Sequence, residues 1–222
     1  MLNYKLIFFI STLILYACSE QSLNNSSLQF EVIAIDTVIS YKWGEGQNLG
    51  QSSEFFPKNI FGLPSKNANE NIPENNPSEI LSLGLGGTII VSFKNYYIID
   101  KEGPDFIIFE NVFKNPLNNK FFCEPAKVSV SIDGIEFITF PFDSSTLFGC
   151  AGLTPTKRVD HNPLNWGGDK FDLKDIHVKK IKFIKIEDIS EIILNNKNHI
   201  YYDVTISGFD LDALIGLNYE IR

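Results

Sequence analysis

Histidine is scarce in this chain of 222 residues, which contains only His161, His177 and His199. No two of them lie at the short spacing by which histidines share one zinc ion. The chain also lacks a Gly-x-Ser-x-Gly nucleophile turn and a Gly-x-x-x-x-Gly-Lys phosphate-binding loop. The sequence therefore predicts neither a zinc centre, nor a hydrolase with such a serine, nor a nucleotide hydrolase, and no catalytic motif is found.

Basic residues are outnumbered by acidic ones. The 19 lysines and arginines face 27 aspartates and glutamates, which gives a formal charge of −8. Nucleic-acid binding calls for a basic face, so this balance argues against such a partner. An acidic chain is compatible with cation binding, although a solvated surface explains the same composition.

Long apolar runs are also rare, and the longest covers residues 6–17, LIFFISTLILYA. Twelve residues are too few to span a bilayer as a helix and are typical of a secretory signal. The run ends in Leu15-Tyr16-Ala17-Cys18, which resembles a bacterial lipobox. We expect cleavage after residue 17, lipid on Cys18 and a polar tether over residues 18–27. The protein would then be exported and lipid-anchored at the outer membrane or cell surface; a plain secretory signal is the alternative.

Cysteine is limited to three residues, and lipidation of Cys18 leaves Cys123 and Cys150. An even pair in an oxidising compartment favours a disulfide. Two buried free thiols are the alternative.

Helical periodicity is missing, whereas short β-type runs are frequent. The clearest are GTIIVSF, YYIID and DFIIFE, between residues 87 and 110. Valine, isoleucine and aromatic residues dominate them, as pleated and half-buried surfaces favour. About nine or ten such strands predict one all-β domain over residues 28–222, an antiparallel β-sandwich with jelly-roll topology.

Two further stretches predict which residues pair across a hairpin and which share one face of a strand. Asp133-Gly134 favours a two-residue hairpin turn, which would place Val130 opposite Phe137 and Ile132 opposite Ile135. Near the C-terminus, alternation predicts Phe209, Leu211, Ala213 and Ile215 on one face of a strand.

Several segments resemble, in order, a family of bacterial cell-surface proteins and lipoproteins. They are FPKNIFGLP, SLGLGGTIIVSF, DKEGPDFIIFENVF, FCEPAKVSVSIDGIEFITFP, FGCAGLTP, GGDKFDLKDI, FIKIEDIS and GFDLDAL. The family pattern usually has a second turn former after the GLP connector, where this chain has Ser65. The resemblance implies a discoidin-like or carbohydrate-module-like sandwich, and it implies no particular activity.

Acidic residues collect at the ends of apolar runs. The candidates for a structural Ca²⁺ site are Asp105, Glu110, Asp169, Asp172, Asp210 and Asp212. Calcium takes six to eight oxygen ligands, and strand ends of a sandwich converge on common rims. The alternative is that each carboxylate caps a turn or is solvated.

Trp43 and Trp166 each neighbour a glycine in a predicted loop. An exposed indole can stack on a sugar or insert into a partner, with Asp169 supplying a polar contact. These residues predict a non-catalytic module that binds a glycan or an extracellular protein. A structural envelope lipoprotein and a glycoside hydrolase using Asp105 and Glu110 are the alternatives.

We predict that Cys18→Ala leaves the precursor uncut or the protein soluble, because lipid is attached through this sulfur. Partitioning into detergent measures the anchor, with Cys123→Ala as the matched cysteine control. Unchanged partitioning of Cys18→Ala would contradict the lipoprotein prediction.

Overall fold

The computed structural model describes residues 31–116 and 118–222. The predicted signal, Cys18 and the tether lie outside these residues, so their assignment stays a prediction. In the described ranges, no helix has both the length and the apolar character needed to cross a membrane.

The described residues form fifteen strands and little helix. The strands are β1 Ile33–Ala34, β2 Thr37–Lys42, β3 Leu81–Ser82, β4 Thr88–Ser92, β5 Tyr96–Ile99, β6 Phe106–Glu110, β7 Phe113–Lys114, β8 Phe121–Phe122, β9 Ala126–Ser131, β10 Ile138–Thr139, β11 Asp169–Phe171, β12 Lys180–Ile181, β13 Phe183–Asp188, β14 Asp210–Gly216 and β15 Tyr219–Ile221. One α-helical turn, α1, covers Glu191–Leu194, and 3₁₀ turns cover Lys58–Ile60, Pro163–Asn165 and Leu173–Ile176.

Two five-stranded antiparallel sheets make the sandwich. The first has the order β1-β14-β6-β11, with β3 also paired to β14, and the second has the order β10-β9-β13-β4-β2. If β3 and β4 are set aside, eight strands remain, and they can be numbered 1 to 8 along the chain. With these numbers the first sheet has the order 1-8-3-6 and the second sheet, read from β2, has the order 2-7-4-5. These are the strand orders of a jelly roll, with β4 inserted between the second and seventh strands. The predicted all-β sandwich is confirmed.

The main core lies between these two sheets. Phe106, Ile108 and Leu214 of the first sheet belong to the same buried cluster as Val128 and Ile186 of the second. A second cluster lies on the other face of the first sheet, where Ile107 and Phe109 pack with Trp166. Strand β6 is therefore buried on both faces, which explains its continuous apolar sequence.

A β-bulge in β14 changes the predicted facing of that strand. Leu211 pairs with Glu110 and Ala213 pairs with Phe109, so Asp212 is the extra residue. Before the bulge, Leu211 points into the main core, whereas Ala213 and Ile215 beyond it belong to the second cluster. The predicted single apolar face is therefore wrong, because one inserted residue reverses the alternation.

The hairpin formed by β9 and β10 has a different register from the predicted one. Val130 pairs with Ile138, not with Phe137, and the loop holds six residues. The carboxylate of Asp133 accepts hydrogen bonds from the backbone N–H groups of Ile135 and Glu136, at 2.8 and 3.0 Å. These hydrogen bonds give two backbone N–H groups of the six-residue loop an acceptor. This loop forms in place of the two-residue turn that the sequence suggested.

We predict that Asp133→Ala lowers the free energy of unfolding at neutral pH, and that the difference from wild type shrinks in acid. Hydrogen bonds from Ile135, Ser131 and Glu136 lower the pKa of Asp133 below its ordinary value of 3.8. A lowered pKa in the folded state adds stability above pH 3.8, and this stability is lost as the pH falls through the folded-state pKa. Urea denaturation at several pH values measures it.

The matched control is Asp133→Asn, which keeps one acceptor oxygen and cannot ionise. A difference between wild type and Asp133→Ala that is the same at every pH would show that the carboxylate does not hold the loop.

Candidate functional site

Three buried carboxylates meet near one end of the first sheet. One carboxylate oxygen from each of Glu110, Glu124 and Asp210 lies within 4.8 Å of those of the other two. All three residues are almost wholly excluded from solvent, and Glu110 is 2% exposed. We refer to these three residues as the acidic cluster. It joins parts of the chain that are far apart in sequence.

The strand register brings the cluster together. Glu110 ends β6 and pairs with Leu211, so its neighbour along β14 is Asp210, whose backbone N–H donates to Glu110 Oε1 at 3.3 Å. Glu124 lies between β8 and β9, and its Oε1 accepts hydrogen bonds from the backbone N–H groups of Ser207 and Gly208. The cluster therefore connects β6, β14 and the segment before β9.

Burial and mutual repulsion dominate the electrostatics of the cluster. Burial, with the neighbouring Glu124 and Asp210, raises the pKa of Glu110 well above its ordinary range. Burial and the charge of Asp210 raise the pKa of Glu124 to about 8, and burial raises that of Asp210 to about 6. Among residues 31–116 and 118–222, no basic side chain forms an ion pair with any of the three.

One oxygen of the cluster lacks a partner. The Oε2 atom of Glu110 is buried and has no hydrogen bond to any other described residue. The neighbouring Asp188 is different, since it accepts from Gly86 N, Ser190 N and Oγ, and Phe209 N. Buried polar atoms are normally satisfied, so the free oxygen of Glu110 is an exception.

Asp105 and Asp172, which the sequence placed with the other acids, lie apart from the acidic cluster. Asp105 precedes β6, whereas Glu110 ends it, and Asp105 groups with Asp100 and Asp172. Its oxygens accept from Lys101 N, Asn218 Nδ2 and Leu173 N, and Asp172 accepts from Lys174 N in the following 3₁₀ turn. They act as turn-forming residues, and the prediction of one shared metal site is wrong for them.

Asp169 and Asp212 are also separate from the cluster. Asp169 accepts from Gly152 N at 2.7 Å, Leu153 N at 3.0 Å and Thr154 Oγ1 at 2.8 Å, so it fixes the 152–154 turn. Asp212, the bulge residue, accepts from Ser65 N and lines a cleft of about 450 Å³. Burial raises the pKa of Asp212 to about 7. Of the six predicted metal ligands, only Glu110 and Asp210 meet in the acidic cluster.

Neither tryptophan offers the freely exposed indole that the sequence predicted. Trp166 is 4% exposed and packs in the second core cluster, with its Nε1 donating to the carbonyl of Asp160 at 2.7 Å. Trp43 is half-buried and contacts the rings of Tyr41 and Phe56, with centroids 4.4 and 5.1 Å away. The ligand-binding prediction is therefore wrong for Trp166, because a large indole fills the space beside β6 and β14.

Cys123 and Cys150 are both buried free thiols, so the predicted disulfide is not formed in this structure. Cys150 packs with Leu147 and Ile193 in a third apolar cluster, to which Cys123 does not belong. Burial raises the pKa of Cys150 to about 12 and also raises that of Cys123. Thiols in such surroundings are not nucleophilic at neutral pH.

A cavity of about 600 Å³ opens next to the turn that Asp169 fixes. Phe140 and Phe171, with ring centroids 5.0 Å apart, line it together with Leu153. Its other lining residues include Thr154, Lys170 and Asp175, which are exposed, and Phe148. An apolar surface with a few polar groups around it is typical of small-ligand sites.

Phe148 projects into solvent beside this cavity and is 79% exposed. The preceding Leu147 has a φ of 63°, which is unusual for a residue with a bulky side chain, and Gly149 has a φ of 87°. Asp143 Oδ1 accepts from Ser145 N and Thr146 N and so holds the turn. The backbone therefore presents Phe148 in a defined position.

Gly152 lies between the cavity wall and the acidic cluster. It has a φ of 87°, and a Cβ atom there would come within 2.4 Å of the carbonyl oxygen of Glu124. Its N–H donates to Asp169. The close approach thus fixes the 152–154 turn against the segment that carries Glu124.

Sequence reasoning missed two of these residues. Glu124 stands alone between Cys123 and Pro125, without the pairing of acidic residues seen at Asp210 and Asp212. Phe148 is one of 19 phenylalanines, and only its place between a strained residue and a glycine distinguishes it. The role of Glu124 depends on contacts with distant residues, and that of Phe148 depends on the backbone conformation of its turn.

Comparison with known proteins does not assign this chain to a family. No protein-family model and no curated protein matches this chain. The resemblance to bacterial cell-surface lipoproteins therefore stays a prediction that depends on the ordered segments alone.

We predict that Asp105→Asn lowers the free energy of unfolding by about 1–3 kcal/mol. The amide keeps one acceptor oxygen but turns an N–H₂ group toward a buried backbone donor such as Leu173 N, which would lose its partner. Urea denaturation at pH 7 measures the change. Glu220→Gln is the control, because Glu220 pairs with Lys180 through two exposed side chains and such surface pairs contribute little. Equal stability of Asp105→Asn and wild type would contradict the role of Asp105.

Proposed function

We propose that this domain is a non-catalytic binding module that holds a glycan in the cavity beside Phe148. The observation that carries this proposal is the exposed Phe148 ring at a cavity of about 600 Å³. Cavities of roughly 300–1,000 Å³ suit small ligands. An exposed aromatic side chain is favourable for binding, because it supplies a large contact area and has only two rotatable bonds to fix.

The chemistry around the cavity fits a sugar. The exposed ring of Phe148 offers an apolar face, on which the C–H face of a pyranose can stack. Lys170, Thr154 and Asp175 offer a donor, a hydroxyl and an acceptor for sugar hydroxyls. The oxygens of Asp169 already accept hydrogen bonds, so its role is to hold the wall and not to contact the ligand directly.

The arrangement of the acids does not favour the hydrolase alternative. Asp105 and Glu110 are five residues apart along an extended strand, which corresponds to about 17 Å at about 3.3–3.4 Å per residue. Paired glycosidase carboxylates lie about 5–9.5 Å apart. The acidic cluster is close enough but almost inaccessible to solvent.

The anchor is the second part of the proposal. The apolar run and Leu15-Tyr16-Ala17-Cys18 support export and lipid attachment, which would keep the module at the outer membrane or cell surface. A structural envelope lipoprotein without a ligand remains the alternative, and an extracellular protein is the other candidate ligand.

We predict that the protein binds a glycan, and that Phe148→Ser weakens binding about tenfold or more. Loss of an aromatic contact of about 1.4 kcal/mol corresponds to tenfold in affinity. A glycan array identifies the ligand and calorimetry measures the affinity of each variant. Lys170→Ala should also weaken binding, through one lost polar contact.

Ile135→Ser is the matched control, because Ile135 is 83% exposed in the β9–β10 loop and does not line the cavity. Binding to a matrix-protein array alone would replace the glycan with a protein ligand. No binding on either array would favour the structural role, and equal affinity of Phe148→Ser and wild type would exclude this cavity.

A further inference from the structure

The acidic cluster gathers more negative charge than the described protein neutralises. Glu110, Glu124 and Asp210 together offer six carboxylate oxygens, and one oxygen of each lies within 4.8 Å of the others. Like charges this close repel strongly inside a protein, where the effective dielectric constant is well below that of water. Asp169 and Asp188 add further negative charge nearby. A bound cation or bound protons must therefore offset this repulsion.

The hydrogen bonds leave one ligand atom free in this cluster. Glu110 Oε1 accepts from Asp210 N, whereas Oε2 has no partner among the residues that the structure describes. The residue is 2% exposed, so water does not solvate that oxygen from outside. The group formed by Asp100, Asp105 and Asp172 is different, since the oxygens of Asp105 are taken by N–H donors.

The geometry points to a divalent cation, of which calcium fits best, bound by Glu110, Glu124 and Asp210. All the ligand atoms are carboxylate oxygens, which suit a hard cation and not zinc or copper. Calcium accepts irregular geometry and bidentate carboxylates, whereas magnesium keeps several water molecules and requires a near-octahedral site. Ser82 and Asn111, which hydrogen-bond to Asp210, help to orient its carboxylate.

The cation would connect elements that the sheets do not connect. It would join the end of β6 and the start of β14 to the segment before β9, which carries Glu124. Glu124 in turn holds Ser207 and Gly208, so the loop before β14 would be fixed as well. This role is structural, and it is independent of the proposed glycan site.

Thermal unfolding of the purified full-length protein tests this inference, in EGTA and in millimolar CaCl₂ or MgCl₂. A ligand at a hundredfold excess over its Kd should raise the melting temperature by about 5–10 °C in a chain of this size. We expect this shift with calcium, a smaller one with magnesium, and one calcium ion per chain by atomic-emission analysis after gel filtration.

Variants locate the ion. Glu110→Gln and Asp210→Asn should each abolish the calcium shift, and Glu110→Gln should melt no lower than wild type in EGTA because it removes a repelling charge. Asp105→Asn is the matched control, since it should melt lower yet keep the whole calcium shift. Two cluster variants keep the test decisive if one of them does not fold.

Identical melting of wild type in EGTA and calcium would overturn the site and show that the carboxylates share protons instead. A calcium shift that persists in both cluster variants would place the ion elsewhere and also overturn it. An equal shift with magnesium would overturn the choice of calcium. None of these outcomes affects the glycan measurements, which use different residues.

Discussion

The loops of this sandwich depend on buried carboxylates that accept hydrogen bonds from backbone N–H groups. Asp188 at the end of β13 holds Gly86 and Phe209, and Asp169 holds the turn that begins at Gly152. Burial raises the pKa of Asp188, Asp169 and Asp105 despite these hydrogen bonds. Ionisation of these acids therefore opposes folding, but removal of one of them leaves buried N–H groups without an acceptor, so each carboxylate is needed to hold its loop in place.

The topology decides which acids meet. Strand β6 crosses the first sheet with Asp105 before it and Glu110 at its end, so two acids in one short segment belong to opposite rims of the sandwich. Asp210 comes from the other end of the chain and joins Glu110 because β14 pairs with β6. Each rim thus collects residues by strand order, and distance along the sequence has little influence.

Much of the architecture could be predicted from the sequence, because the strands themselves carry a strong signal. The apolar runs that became β4, β5 and β6 are short and rich in β-branched and aromatic residues, and the number of such runs predicted the sandwich. The order of the strands depends on which of them pair, and the sequence contains no direct signal for that. The facing within β14 could not be predicted, since the bulge at Asp212 leaves no mark in the alternation.

The site was harder to predict than the fold. Asp210 and Glu110 were identified as candidates, but Glu124 joins them only through the path of the chain between β8 and β9. Trp166 was misplaced because a tryptophan beside glycines in a loop fits both an exposed platform and a core residue. In both cases the deciding interaction is between residues far apart in sequence, which a local pattern does not contain.

The close approach at Gly152 limits how this protein can vary. Any side chain at position 152 would meet the carbonyl oxygen of Glu124, and its backbone conformation is one that other residues rarely adopt. The position therefore tolerates only glycine unless the cavity wall and the Glu124 segment separate. Variation beside the cavity is then restricted to exposed residues such as Phe148 and Lys170, whose side chains can change without moving the backbone that joins the cavity wall to the acidic cluster.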